Sequence, residues 1–210
     1  MNILFEAHDL RKCYGDITAL HLPHFVMERG ETVVLTGRNG SGKSTLLRLL
    51  AFLEKPTSGV LRYTGSQTDP RREITLLLQE PYLMKASVFW NVTLGLRLRG
   101  IDKATARKKY EESMLAVGFS DPQSMAPRGP GELSGGERQR IALASRLILS
   151  PSVLLLDEPT SNVDAASEKA ILNVVRSLRD SGVSVVCSTH DRDIPAALEA
   201  RETAIVCAPV

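Results

Sequence analysis

From Glu31 onward, short continuous apolar runs alternate with stretches of helical length and period. Runs of four or five apolar residues bounded by turn residues mark strands buried on both faces, whereas apolar positions recurring every three to four residues mark helices. The pattern predicts strands over 31–35, 74–78, 153–156 and 183–187, and a helix over 43–52. Before Glu31, segments 2–11 and 18–27 flank Gly15 and Asp16 and read as strands of an antiparallel hairpin layer. The middle of the chain differs. Residues 87–150 hold no strand pattern, and helices are expected over 87–97, 103–117 and 135–149, the second started by Asp102 and stopped by Gly118. Residues 120–132, with Pro122, Pro127, Gly129, Pro130 and Gly131, read as a loop. The expected fold is α/β: a core with a mostly parallel sheet, an N-terminal antiparallel β layer, and an inserted helical subdomain.

Composition narrows the class without changing that picture. At 210 residues, 43% hydrophobic and 24% charged, the chain is an ordinary globular length and mixture. A chain of this size buries about 70% of its unfolded surface, so no covalent staple is required. The 26 basic and 24 acidic residues leave a net charge of +2, too balanced for a nucleic-acid partner to be expected. Cys13, Cys187 and Cys207 are odd in number and lack C-x-x-C spacing, so reduced thiols in a cytosolic setting are expected rather than a disulfide framework or zinc site. Acidic Glu6 and Asp9 near the start argue against a signal peptide, and no apolar run approaches the roughly 20 residues of a membrane helix.

The chemistry begins at the end of the first buried strand. Gly37-Arg38-Asn39-Gly40-Ser41-Gly42-Lys43-Ser44-Thr45 fits G-x-x-x-x-G-K-[ST] between a strand and a helix, the context that makes this pattern a polyphosphate cradle. Glycines let backbone N–H groups turn inward as an anion nest, and the following helix adds its dipole. Lys43 would reach the β- and γ-phosphates, Ser44 would ligate Mg²⁺, and Thr45 with neighbouring amides would hold the α and β oxygens. A second element follows Val153-Leu154-Leu155-Leu156: the pair Asp157-Glu158 emerges at the carboxyl end of a buried strand, where α/β sheets bind ligands. Asp157 would accept from a Mg²⁺-bound water or from Ser44, and Glu158 would polarise the attacking water.

Leu133-Ser134-Gly135-Gly136-Glu137 is the most specific string. Ser134 and Glu137 form a capping box for the helix that starts at Gly135. Two glycines in a first turn cost about 1 kcal/mol each relative to alanine, so a compensating role is expected. Bare amides beside a serine hydroxyl suit a second anion site. One nucleotide per chain engages the glycine loop, so this second site would serve a nucleotide held by another copy in a head-to-tail pair.

Taken together, GRNGSGKST, LSGGE and VLLLDE resemble the Walker A, signature and Walker B motifs of the ATP-binding subunit of an ABC transporter, in the family's order across essentially the whole chain. That resemblance implies a P-loop NTPase core, ATP and Mg²⁺ as cofactors, and a homodimer formed on ATP binding. It assigns Tyr14 to adenine stacking, Gln79 to the cation and water, His190 to the γ-phosphate, and Asp164 in Ser161-Asn162-Val163-Asp164 to a contact across the dimer. Asn162 and Val163 depart from the family's usual Ala-Leu, and Glu137 stands where many members carry Gln. The implied organisation is a single domain over 1–210, with 1–83 and 150–210 as catalytic core and 84–149 as the helical subdomain. Pro81–Val92 and Gly95–Gly100 in the sequence resemble importer subunits, implying membrane permease partners, an extracytoplasmic solute-binding protein, and a peripheral place on the cytoplasmic membrane face. Met84, Ser87, Val88, Trp90 and Val92 fall where the family docks its permease, although as a bare pattern they read as helix core. The segment from Ala51 to Gly59 is similar to tungstate or molybdate importers. The competing class, a soluble ABC-type ATPase of DNA repair or translation, usually carries coiled-coil insertions or tandem cassettes, and neither pattern is visible.

Overall fold

The computed structural model describes residues 2–206, so Cys207 lies outside the described residues. Two compact units divide the chain: one from residues up to Leu76, Ser152–Glu158 and Arg176 onward, the other from Leu77–Pro151 and Pro159–Val175.

The first unit holds the sheets. β1 (Ile3–Tyr14) and β2 (Ile17–Glu28) form the expected antiparallel hairpin about Gly15 and Asp16, and β4 (Ser58–Tyr63) adds to the other edge of β1. The second sheet has the order β5 (Ile74–Leu77), β6 (Val153–Asp157), β7 (Ser184–Ser188), β3 (Thr32–Thr36), β8 (Arg201–Ala204). Its β6–β7, β7–β3 and β3–β8 pairs are parallel. Every residue of β5, β6 and β7 is buried, as their unbroken apolar runs demand. One apolar cluster joins Leu46, Leu47 and Leu50 of α1 (Lys43–Leu50) to Phe5, Leu20 and Met27 of the antiparallel layer and to Val33, Leu155 and Val186 of the parallel sheet.

α1 ends before the expected residue 52. Its end is a Schellman turn: the Leu53 amide donates to the Arg48 carbonyl and the Phe52 amide to that of Leu49, with Phe52 in the left-handed region (φ 54°) where glycine is usual. α6 (Ala165–Asp180) runs across the boundary between the two sets of residues, and α7 (Ile194–Ala197) leads into β8.

The second unit is helical. Ser87, read from sequence as the first residue of α2 (Val88–Leu98), is instead its cap, accepting from the Trp90 amide at 3.2 Å, and Asp102 caps α3 (Lys103–Ala116) by accepting from Ala104 and Thr105, as expected. Residues 120–132 are not the plain loop that their prolines suggested. They contain α4 (Pro122–Met125), capped by Asp121, and a 3₁₀ turn over Pro130–Glu132, because a proline in a first helical turn loses no bond it would otherwise make. Buried Tyr110 donates to the Pro122 carbonyl at 2.8 Å and packs edge-on against Phe89.

α5 (Gly135–Leu147) opens with the expected capping box: Glu137 N–H donates to Ser134 Oγ at 3.1 Å and Ser134 N–H to Glu137 Oε2 at 2.8 Å. Its two glycines differ. A β-carbon on Gly136 would press on Ser167 and on the Asp164 carboxylate that caps α6, whereas one on Gly135 would meet only the Asn162 carbonyl at 3.8 Å, an ordinary contact. Close packing therefore accounts for Gly136, and Gly135 is left without a packing reason. Among the described residues no helix is long and apolar enough to cross a membrane.

Two stability outcomes follow from this packing. Leu155→Ala, at a fully buried position in β6, should lower unfolding free energy by about 3 kcal/mol in a denaturant titration. Gly136→Ala should cost about 1–3 kcal/mol by displacing the Asp164 cap, whereas Gly135→Ala should leave stability unchanged or raised by up to about 1 kcal/mol.

Candidate active site

β3 delivers the chain to the glycine loop. Gly37 (φ 147°) and Gly42 (φ 101°) take conformations that L side chains rarely adopt, and a β-carbon there would strike the Ile205 and Ala19 carbonyls respectively. Gly42 is the N-cap of α1 and supplies no capping side chain, so the first amides of the helix face the loop rather than a cap. Lys43, Ser44 and Thr45 form the first turn, with Gly40 and Asn39 at the tip. Ser41 Oγ is buried without a hydrogen-bond partner, and Arg38 supplies a carbonyl to Lys43. An orphaned buried hydroxyl costs about 1–3 kcal/mol, which a polar ligand in the cradle would remove.

Lys43 is only 5% exposed. Its Nζ donates to the Gly37 carbonyl at 2.8 Å and to that of Arg38 at 3.3 Å, and lies 3.9 Å from Glu158 Oε1. The other oxygen of Glu158 lies 3.2 Å from His190 Nδ1. One carboxylate thus bridges the loop lysine and the histidine beyond β7. Lys43, Glu158 and His190, predicted separately from sequence, meet here.

The strand register explains how. Asp157 at the end of β6 pairs with Ser188 at the end of β7. Ser188 Oγ donates to Asp157 Oδ1 at 2.7 Å, a donor additional to the Mg²⁺-bound water or Ser44 to which the sequence points. The Glu158 amide donates to Ser188 Oγ at 2.9 Å and also to the Ser188 carbonyl at 3.2 Å. These bonds hold Glu158 at φ 44°, a left-handed conformation that costs a non-glycine residue about 1–2 kcal/mol. Ser188 is not singled out by the sequence; its signal is a polar residue closing an apolar strand two residues before His190. Burial, reinforced by Asp157 and Glu158, pushes the Cys187 thiol up to about 12, so it stays protonated and inert.

Tyr14 sits at the hairpin end of β1, 45% exposed. Its hydroxyl donates to Glu54 Oε2 at 2.6 Å, and Lys12 Nζ lies 3.1 Å from Glu54 and 5.1 Å from the Tyr14 ring. Burial, then the Glu54 carboxylate, raises the phenol's pKa. Glu54 orients this ring, a role not visible in the sequence.

Asp157 and the Ser44 hydroxyl are hard oxygen donors of the kind Mg²⁺ takes. Among the described residues no cluster of three His, Cys, Asp or Glu side chains is arranged to hold a metal ion.

The helical unit carries the other predicted residues. Gln79 is exposed, just past β5. Ser134 accepts from Glu137 N–H, so its own proton remains to donate, and Arg128 steadies Glu137 at 3.3 Å. The Ser167 amide and hydroxyl donate to Asp164 at 2.9 and 2.8 Å, holding its carboxyl below the usual range. Asn162 is left-handed (φ 57°), a conformation asparagine tolerates better than the alanine usual in the family. The candidate docking residues divide. Val88 and Val92 are core, Ser87 is a cap and Trp90 is half-buried, whereas Met84 is exposed, as is nearby Tyr82, which was not among the candidates. A cleft of about 480 Å³ is lined by Tyr82, Leu83, Lys85, Ala86, Pro130 and Arg138.

Residues 20–161 match the family model described as ABC transporter. The Fe(3+) ions import ATP-binding protein of Agrobacterium fabrum is 39% identical over 198 residues, 91% of this chain and 55% of its own length. The cobalt import ATP-binding protein of Rhodobacter capsulatus is 37% identical over 197 residues, 89% of this chain and 69% of its own. The chain thus spans little more than half of the iron-import relative. A dimeric ATP-binding cassette, in a post-hydrolysis state bound to ADP and Pi, superposes with a TM-score of 0.86 at 28% identity, covering 97% of this chain and 94% of that one. The chain belongs to the ABC transporter family, as an ATP-binding cassette.

Proposed function

We propose that this chain is the Mg²⁺-dependent ATPase subunit of a membrane importer, closing as a homodimer over ATP and coupling that closure to a separate permease. The observation that carries this reading is the Glu158 carboxylate, 12% exposed and held between Lys43 and His190 beside the glycine loop. A carboxylate so placed can take a proton from water as the water oxygen attacks the γ-phosphorus and the bond to ADP breaks. Lys43 exchanges its loop carbonyls for phosphate oxygens. The amides from Gly37 to Thr45 cradle the phosphates, Arg38 and Asn39 shape the loop, Tyr14 stacks on adenine, and His190 orients Glu158 toward the γ-phosphate. Ser44 and Asp157 would hold the cation, and Gln79 keeps the cation and water role that the family resemblance implies; when bound, Mg²⁺ would neutralise charge on the phosphates.

Ser134, Gly135 and Gly136 of a second copy seal the γ-phosphate, with Glu137 fixing that helix tip and Asp164 contacting across the pair. The absence of a packing reason for glycine at 135 supports this reading, because a bare backbone there lets an anion approach. ATP then favours the closed pair through contacts that loss of the γ-phosphate removes. Residues 1–83 and 150–210 act as the catalytic core and 84–149 as the helical arm, in which the cleft beside Tyr82 and Met84 receives the permease. The subunit works peripherally, on the cytoplasmic membrane face, with an extracytoplasmic solute-binding protein upstream. The solute class is an inorganic ion, with tungstate or molybdate suggested by the 51–59 segment; import names among the relatives support the class.

Glu158→Gln should lower ATP turnover by about 100-fold or more while leaving nucleotide affinity unchanged, and should accumulate an ATP-dependent dimer on gel filtration. Full turnover in that variant overturns the reading. Lys43→Ala should weaken ATP binding by about tenfold or more in titration calorimetry.

A further inference from the structure

We propose that Ser188 is a positioning residue that sets both acidic groups of the site through one hydroxyl. The proposal rests on the reading above, in which Asp157 serves the cation and Glu158 the water. Ser188 is completely buried at the end of β7. A hydroxyl has one proton to give and lone pairs to accept with. The Glu158 N–H points at Ser188 Oγ from 2.9 Å and occupies an acceptor position, so the hydroxyl proton goes to Asp157 Oδ1, 2.7 Å away. The chemistry fixes the direction of both bonds, since an ionised carboxylate only accepts and an amide only donates.

Two consequences follow for the site. Asp157 has one oxygen tethered to β7, which fixes its carboxylate plane and directs the remaining acceptor capacity to the cation. Glu158 has its amide anchored in the left-handed turn that sends its side chain between Lys43 and His190. A serine serving only its own burial would bond within its strand. Here both bonds leave β7 for consecutive residues of the acidic pair, so one hydroxyl couples the cation ligand to the base. Removing the hydroxyl need not unfold the sheet, because the Ser188 carbonyl still accepts from the Glu158 amide at 3.2 Å.

The test compares the full chain with Ser188→Ala, Ser188→Thr and Glu158→Gln. ADP affinity is measured by calorimetry with and without Mg²⁺, alongside turnover, its Mg²⁺ dependence and the thermal midpoint. Ser188→Ala should keep its Mg²⁺-free ADP affinity within about twofold, lose most of the gain in affinity that Mg²⁺ confers, and need about tenfold more Mg²⁺ for half-maximal turnover. Ser188→Thr should restore the Mg²⁺ response. A wild-type Mg²⁺ response in Ser188→Ala overturns the proposal, as does an equal loss of affinity with and without Mg²⁺, the mark of a merely structural residue. A folded Ser188→Thr chain as impaired as Ser188→Ala also overturns it. The underlying reading fails separately, through full turnover in Glu158→Gln.

Discussion

A parallel sheet covered on both faces can offer polar groups only where its strands stop. In this chain β5, β6 and β7 are buried along their whole length, so Asp157 and Ser188 are forced to the strand ends and set side by side by register. The same constraint puts the glycine loop at the end of β3, next to β7. Chemistry is gathered by the sheet's order, not by sequence proximity: Lys43, Glu158 and His190 are far apart in the chain and near in space. Apolar packing between α1 and both sheets keeps that end rigid, as a site requires when a small displacement of a charged group costs rate.

The features most legible in the sequence were those with a local cause. The buried strands announced themselves as unbroken apolar runs, the caps Asp102 and Ser134 as polar residues ahead of helical periodicity, and the phosphate loop by glycine spacing. β4 and β8 were not legible, because both are largely exposed and lack an apolar face; only pairing with β1 and β3 makes them strands. α6 carries a legible apolar stripe in Ile171, Val174 and Val175. The short helix at Pro122–Met125 was hidden by the proline that starts it.

Within the site, residue types were readable and their partners were not. Glycine composition alone suggested one common role for Gly135 and Gly136, yet a neighbour's cap separates them into a packing residue and an open backbone. Likewise, Ser188 and Glu54 are ordinary polar residues until the fold brings one to the acidic pair and the other to Tyr14. Such roles depend on contacts made across the sheet or between strand and loop, which no local pattern encodes.

The self-occupied state of Lys43 has a thermodynamic corollary. Its ammonium already holds two loop carbonyls and faces a carboxylate, so an incoming phosphate gains only the difference between new contacts and surrendered ones. Occupancy of the loop by a phosphate would therefore be an exchange of partners rather than the filling of a bare charge. In such an exchange, a change that weakens the carbonyl and carboxylate contacts of Lys43 would increase the net gain from a phosphate by what those contacts lose.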